Sequence, residues 1–430
     1  MVLRPFHAIA FAFLFVSLSP GVHAAEWYVD ASASGSGDGR TWQNAFSTIQ
    51  QGIDAASGGD AVTVAEGTYV ENIQFGGKNI VLHSTNPNDA AVVAATVIDG
   101  NRAGAVVTFD GTENASCVLS GFTIRNGKGS GGGGVRGNDA LATIQFNLIG
   151  LNEARSGSGL HGCDGLILGN VITQNSSHTD AGFANGGGLH HCNGKILNNV
   201  ITQNSADVGG GLAYCQGEIR NNIIRHNSAV YEGGGLYNCT NGLIQNNVIS
   251  GNAANRGGGL YECKNVVNNT IVANSAGSSG GGARYGSLPS VTNCIIWGNE
   301  APLGPQIWSG SVGGVEYSCI QDWTEGGTGN TALEPDFVDP TGPDGDPTTT
   351  WDNDYRLSPS SVCIDRGSNE AHEFPRLDKD GNLRIAYGHR SLTVDMGAYE
   401  YNSNRFAVTE ITPFDTNSLS LTWTSQPNNS

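Results

Sequence analysis

Lysine is nearly absent: the 430 residues hold five, Lys78, Lys128, Lys195, Lys264 and Lys379. Charged residues of every kind make up 14%, and the formal net charge is −18. A chain this acidic is a poor partner for nucleic acid or an anionic membrane, whose phosphates require positive charge. The nine cysteines include no CxxC pair, so the common zinc and thiol-redox spacings are missing. Past residue 24 no apolar run is long enough to cross a bilayer. The apolar run Ala8 to Leu18 follows Arg4 and precedes small residues up to Ala24. That order reads as an export signal over 1–24, so the expected location is secreted or cell surface.

Glycine, by contrast, is abundant, with 63 residues, and 141–299 repeat one pattern. An apolar column (Ile144, Ile167, Ile196, Ile219, Ile244, Val266, Val291) is followed three residues on by asparagine, Asn147 through Asn269, with Cys294 in the last place. Two further stands an unbroken isoleucine column, Ile149 through Ile296. Three after that comes a second asparagine column: Asn152, Asn175, Asn204, Asn227, Asn252, Asn274 and Asn299. Spacings of mostly 22 to 25 residues suit one turn of a solenoid whose strands stack about 4.8 Å apart. The asparagines are expected to be structural, each accepting the left-handed bend and linking its amide to neighbouring turns. Glycine runs close each turn, then Leu, then cysteine three later (Cys163, Cys192, Cys215, Cys239, Cys263). That spacing implies a bulge or a bend, and leaves two outcomes open: a stack of buried thiols, or one or two bridges between turns.

The pattern INNxIxxNSAxxxGGGLYxC resembles the right-handed parallel β-helix repeat of the pectin-lyase-like superfamily. The resemblance implies an all-β, right-handed parallel β-helix of about eleven coils over 61–330, with an N-terminal capping helix in 25–60 and a β-rich C-terminal cap. In 41–59, Phe46, Ile49, Ile53 and Ala56 form one apolar stripe, with Thr41 or Asn44 as caps and Gly58 and Gly59 as the stop. Superfamily members include lyases, glycosidases and noncatalytic surface proteins, so fold alone does not select a function.

Two rows after the glycines are candidates for a site. His161, His190, Ala213, Tyr237, Tyr261 and Arg284 follow the leucines; Gly162, His191, Tyr214, Asn238, Glu262 and Tyr285 come next. Outward-facing, they form a strip that binds sugar faces, with His190, His161 and Tyr237 as catalytic candidates and His191, Tyr214, Tyr261, Glu262, Arg284 and Tyr285 as substrate-binding ones. Inward-facing, they are core. One long turn carries the insert SSHTDAGFAN, which brings His178 and Asp180 toward His161, His190, His191 and Asp207 as a candidate metal group. Positions where polygalacturonase-type relatives carry aspartates are glycine here (Gly187, Gly188, Gly210, Gly211, Gly234, Gly235), which disfavours glycosidase chemistry. If the protein is an enzyme, a lyase fits better. Lys195, Glu218 and Arg220 form a weaker constellation on neighbouring turns.

From 331 the repeat stops, and 331–400 hold 14 of the 39 carboxylates. EPDFVDP, DNDYRLSPSSVCIDRGS, PRLDKDGNLR and VDMGAYEY resemble the choice-of-anchor Q region of exported β-helix proteins, assigned here to 331–402. That resemblance implies sorting machinery acting through a further C-terminal module. Asp344, Asp346, Asp378 and Asp380 are candidate Ca²⁺ ligands in short acidic turns. Residues 403–430 read as the start of a β-sandwich module cut short. The expected partner is an extracellular polysaccharide or cell-surface glycan, bound and on one reading cleaved. The alternative is a noncatalytic surface spacer or adhesin.

Overall fold

A computed structural model describes residues 24–425, apart from 35–36, 179–181, 288–289, 311–312, 348, 372–374, 386–390, 402–405 and 416–417; over 406–425 it describes the backbone alone. The export signal therefore lies outside the described residues, except for Ala24. The chain winds into an all-β parallel solenoid of four sheets with 12, 11, 10 and seven strands. Each full turn visits them in a fixed order. Sheet 1 carries the Ile144 column, sheet 2 the Ile149 column, sheet 3 the short Ser/Ala strands such as Ser205–Val208, and sheet 4 the Leu column.

The columns seen in the sequence are columns in space. Ile144 pairs with Ile167 and Ile149 with Ile172, and the same registers continue to Val291 and Ile296. These side chains are buried, each stabilising the turn by roughly 2 kcal/mol through apolar burial. Ile124 pairs with Ile149, so the early coil is in register. Asn126, which stands one residue early, is not a ladder member: Gly127 occupies that place and donates its N–H to Asn152 Oδ1 at 2.8 Å.

Both asparagine columns form buried ladders. The Oδ1 of Asn227 accepts the main-chain N–H and the Nδ2–H of Asn204, each at 3.0 Å, while its own Nδ2 donates to Asn252 Oδ1 and to the Ile201 carbonyl. The expected left-handed backbone falls one residue earlier. Gln203, His226 and Ala273 have φ of 56°, 51° and 53°, whereas no ladder asparagine has positive φ. The bend is thus made by the residue before, and the asparagine is free to bond along the axis.

A third bend accounts for the cysteines. Gly162, His191, Tyr214, Asn238 and Glu262 all have φ between 50° and 58°, so one left-handed residue lets both Leu and Cys face inward. The column cysteines, Cys163, Cys192, Cys215, Cys239 and Cys263, stand as a buried stack of free thiols in this structure.

Helix α1 (Ile49–Ala55) turns Ile49 and Ile53 into the core at the first turns. Its cap is Thr48, in a capping box with Gln51, rather than Thr41 or Asn44; Thr41 instead caps the 3₁₀ turn Trp42–Asn44. The Glu71 carboxylate adds bonds to the N–H groups of Ile49 and Gln50, where the helix dipole favours negative charge. A second helix, α2 (Ala90–Ala95), with Asp89 as cap, was not evident from the sequence.

Residues 331–401 pack on the flank of the last turns. Their partners are the left-handed asparagines of sheet 1's exit: Asn246 Nδ2 donates to Leu377 O, Asn268 Nδ2 to Asp395 O and Asn293 Nδ2 to Ser368 O. Arg384, fully buried, donates to Asn246 Oδ1 at 2.6 Å and lies 3.3 Å from Glu400. Beyond, Phe406–Asp415 and Ser418–Ser425 form an antiparallel hairpin.

Candidate functional site

The glycine runs make a corner that no other residue fits. The first glycine is left-handed (φ 65° at Gly209, 66° at Gly233), and a Cβ on Gly210 would stand 2.4 Å from the Ser228 carbonyl of the next turn. Two outward rows flank this corner. Before it run Asn185, Val208, Glu232, Arg256 and Ser279, paired in register. After it run His161, His190, Ala213, Tyr237, Tyr261, Arg284 and Trp308. Arg284 ties the two rows, its Nε donating to Ser279 Oγ at 3.0 Å.

Ring contacts link the second row to His191 and Tyr214, each one residue past it. His191 stacks on Tyr214 at 5.4 Å, Tyr214 meets Tyr237 edge-on at 5.3 Å, and Tyr237 stacks on Tyr261 at 5.4 Å. The Arg284 guanidinium lies over Tyr261 and Trp308, and its Nη1 donates to the Tyr261 hydroxyl at 2.9 Å. Beside the rings lies a cleft of about 170 Å³ lined by Phe183, Tyr214, Tyr231, Glu232, Tyr237 and Arg256, among others. Phe183 and Tyr231 meet edge-on at 5.3 Å. Glu232 and Arg256 form an ion pair of 2.6 Å in the cleft.

The chemistry of these groups departs from expectation at several points. His190 is buried, 7% exposed, and burial beside His191 and His161 pushes its pKa down to about 3. It stays neutral at ordinary pH and faces the neighbouring rings, so it is a filler of the row rather than a solvent-facing catalyst. Burial also lowers the half-buried His161. The Tyr237 phenol is pushed up by burial and by its hydrogen bond with Tyr214, which makes it a donor and a poor base. Tyr285 does not join the strip. Its turn lacks the left-handed residue, so Ala283–Tyr285 alternates regularly and Tyr285 points into the core, 2% exposed, where other turns place cysteine. Glu262 accepts the Gly286 N–H.

The remaining candidates lie apart from the strip. Asp207 accepts the Ala184 N–H at 2.9 Å and so holds the long turn; Asp180 lies outside the described residues. Glu218 sits between Arg220 at 2.5 Å and Lys195 at 4.0 Å, a surface ion cluster. Asp344 caps the N–H of Asp346 and the hydroxyl of Thr349. Asp378 is fully buried and accepts the N–H groups of Asp380, Asn382 and Glu400, while Asp380 pairs with Arg356. Among the described residues no group of three His, Cys, Asp or Glu is placed to hold a metal ion. Phe183, Tyr231, Glu232 and Arg256 were not picked out from the sequence. For Glu232 and Arg256 the available signal was the row just before the glycines; Phe183 lies in the SSHTDAGFAN insert and Tyr231 one residue ahead of that row.

No protein-family model and no curated protein matches the chain. Among solved structures, a pectate lyase, Pel9A, has a similar fold at 16% identity and a TM-score of 0.53, over 89% of this chain and 98% of that one. XylC in complex with xylose (9% identity, TM-score 0.41, 88% and 99% covered) and a rhamnogalacturonan lyase (15%, 0.24, 75% and 94%) are more distant. At these identities the likeness is one of fold alone, a parallel β-solenoid.

Proposed function

We propose that the chain binds a polysaccharide along the corner between sheets 3 and 4. The observation that carries this reading is the row of rings from His191 to Trp308, stacked turn upon turn beside the Glu232–Arg256 cleft. Aromatic faces with polar edges suit sugar rings, which offer apolar C–H faces and hydroxyl rims. The similar fold of a pectate lyase supports a polysaccharide as the ligand class.

A second reading, lyase-type cleavage, has one observation in its favour. Glu232 and Arg256 place a carboxylate beside a guanidinium, the pairing needed to remove a proton next to a neutralised uronate. The noncatalytic spacer or adhesin is the rival, and the phenols held protonated fit it. Export through 1–24, read from its charge and apolar pattern, and surface sorting through a choice-of-anchor type region over 331–402, resting on sequence resemblance, complete the proposal.

The test is a panel of uronate-containing and neutral glycans, scored for binding, for unsaturated ultraviolet-absorbing products and for new reducing ends. Binding that weakens about tenfold in Tyr237→Ala supports the strip. Unsaturated products that vanish in Glu232→Gln establish the lyase reading. Retained binding without products leaves the adhesin. No binding to any glycan overturns the proposal.

A further inference from the structure

Seven of the nine cysteines lie in the solenoid's central core cluster, but Cys319 and Cys363 do not. They share a separate cluster with Ile295, Leu357, Ile364 and Met396, at the seam where the last turn meets residues 331–401. Cys319 sits on sheet 2 opposite Ile295. Cys363 comes from the covering segment, its carbonyl accepting the Met396 N–H at 3.1 Å. Both side chains are fully buried in this one cluster, and the neighbouring Cys319 thiol together with burial pushes the Cys363 thiol well up. The Cys319 thiol also reaches the Leu333 carbonyl at 3.1 Å.

The column cysteines join coils already fastened by strand pairing. Cys319 and Cys363 instead share a buried cluster at a seam that no strand ladder crosses among the described residues. The polar contacts there are scattered: Asn246, Asn268 and Asn293 donate to main-chain carbonyls of the covering segment, and the Thr270 hydroxyl accepts the Ala398 N–H.

We propose that Cys319 and Cys363 are a disulfide-forming pair that fastens residues 331–401 to the end of the solenoid. The oxidant is a disulfide of the glutathione class or of a protein dithiol donor, met while the segment is still undocked, since both sulfurs are sealed once it closes. One thiolate attacks the donor disulfide and releases one donor thiol; the other then attacks the mixed disulfide and releases the second. Two electrons pass to the donor, and the protons leave on its two thiols. The bond closes a loop of more than forty residues, a length at which a cross-link restricts the unfolded chain strongly.

The experiment denatures and reduces the full chain, refolds it in a buffer of reduced and oxidised glutathione, and traps free thiols with an alkylating agent in denaturant. Peptides are then mapped without reduction. The expected result is one linked pair, Cys319 with Cys363, and seven alkylated cysteines. Limited proteolysis should release the 331–401 segment about tenfold or more faster from reduced protein and from Cys363→Ser than from the oxidised form. Alkylation of both Cys319 and Cys363, or links confined to the column cysteines, overturns the proposal. The map uses unmutated protein, so it remains decisive even if Cys363→Ser does not fold, and it is independent of glycan binding.

Discussion

The solenoid and the segment that covers its end are stabilised on opposite principles. In the solenoid each contact recurs, so the loss of one turn's contribution is shared with identical neighbours above and below. In 331–401 the decisive contacts occur once and span long stretches of sequence: Arg384 with Asn246, Asp395 with Asn268, and Trp351 with His226, whose rings stack at 4.2 Å. The contrast teaches that one protein can hold a distributed core and a concentrated latch, and that the two should break separately.

The largest effect is expected at the latch. Arg384→Met leaves the Glu400 carboxyl, Asn246 Oδ1 and the Gly397 carbonyl without their buried donor, at about 3–5 kcal/mol. Limited proteolysis should release the cap while circular dichroism keeps its β signal. Loss of the whole β signal would show that the two regions fold as one unit. Next comes Asn227→Ala, which strips an acceptor from two buried Asn204 donors and a donor from Asn252 and Ile201. Denaturant titration should show a loss of about 3 kcal/mol in the solenoid transition.

A pH series separates the regions without mutation. Burial pushes Asp395 up to about 7 and Glu400 up to about 9, whereas both ionise at about 4 when unfolded. The folded cap therefore holds extra protons, and its contribution is complete below about pH 4 and is lost as pH rises through about 7 and then about 9. Proteolytic release of the cap should accelerate over that range. The solenoid should move the other way: burial holds His190 down at about 3 against about 6.5 when unfolded, so its stability falls only as pH drops below about 6.5. A cap equally resistant at both ends of the range would remove the latch from these two acids. The smallest effect belongs to Tyr285→Phe, which deletes a buried hydroxyl without a partner; stability should change by less than about 1 kcal/mol and glycan binding not at all.

The regular half was legible because its evidence is repeated seven times over. A column such as Ile149 to Ile296 states its own register, and the asparagine columns announced buried ladders. What the repeat concealed was which residue makes each bend. The place just before the second asparagine column is held by Gln203 in one turn, Ala273 in another and Gly298 in a third, with no shared chemistry. The candidate site was half visible. Tyr214, Tyr237, Tyr261 and Arg284 stood out as a row, yet Tyr285 shows that a row in sequence changes face when a single left-handed residue is lost. Phe183 and Tyr231 meet only after folding, and the cap's partners lie far away along the chain, beyond any local pattern.

The asparagine ladders carry a direction. Each amide oxygen accepts from the earlier turn, from the Phe122 and Gly127 N–H groups at one end of the rod onward. At the other end the acceptors are the Ser318 hydroxyl and the Gln306 side-chain oxygen. Such a rod is polarised like an arrow: its tail asks for donors and its tip for acceptors. A whole turn copied into the middle would extend both ladders unbroken, whereas the same turn inserted backwards would set like against like.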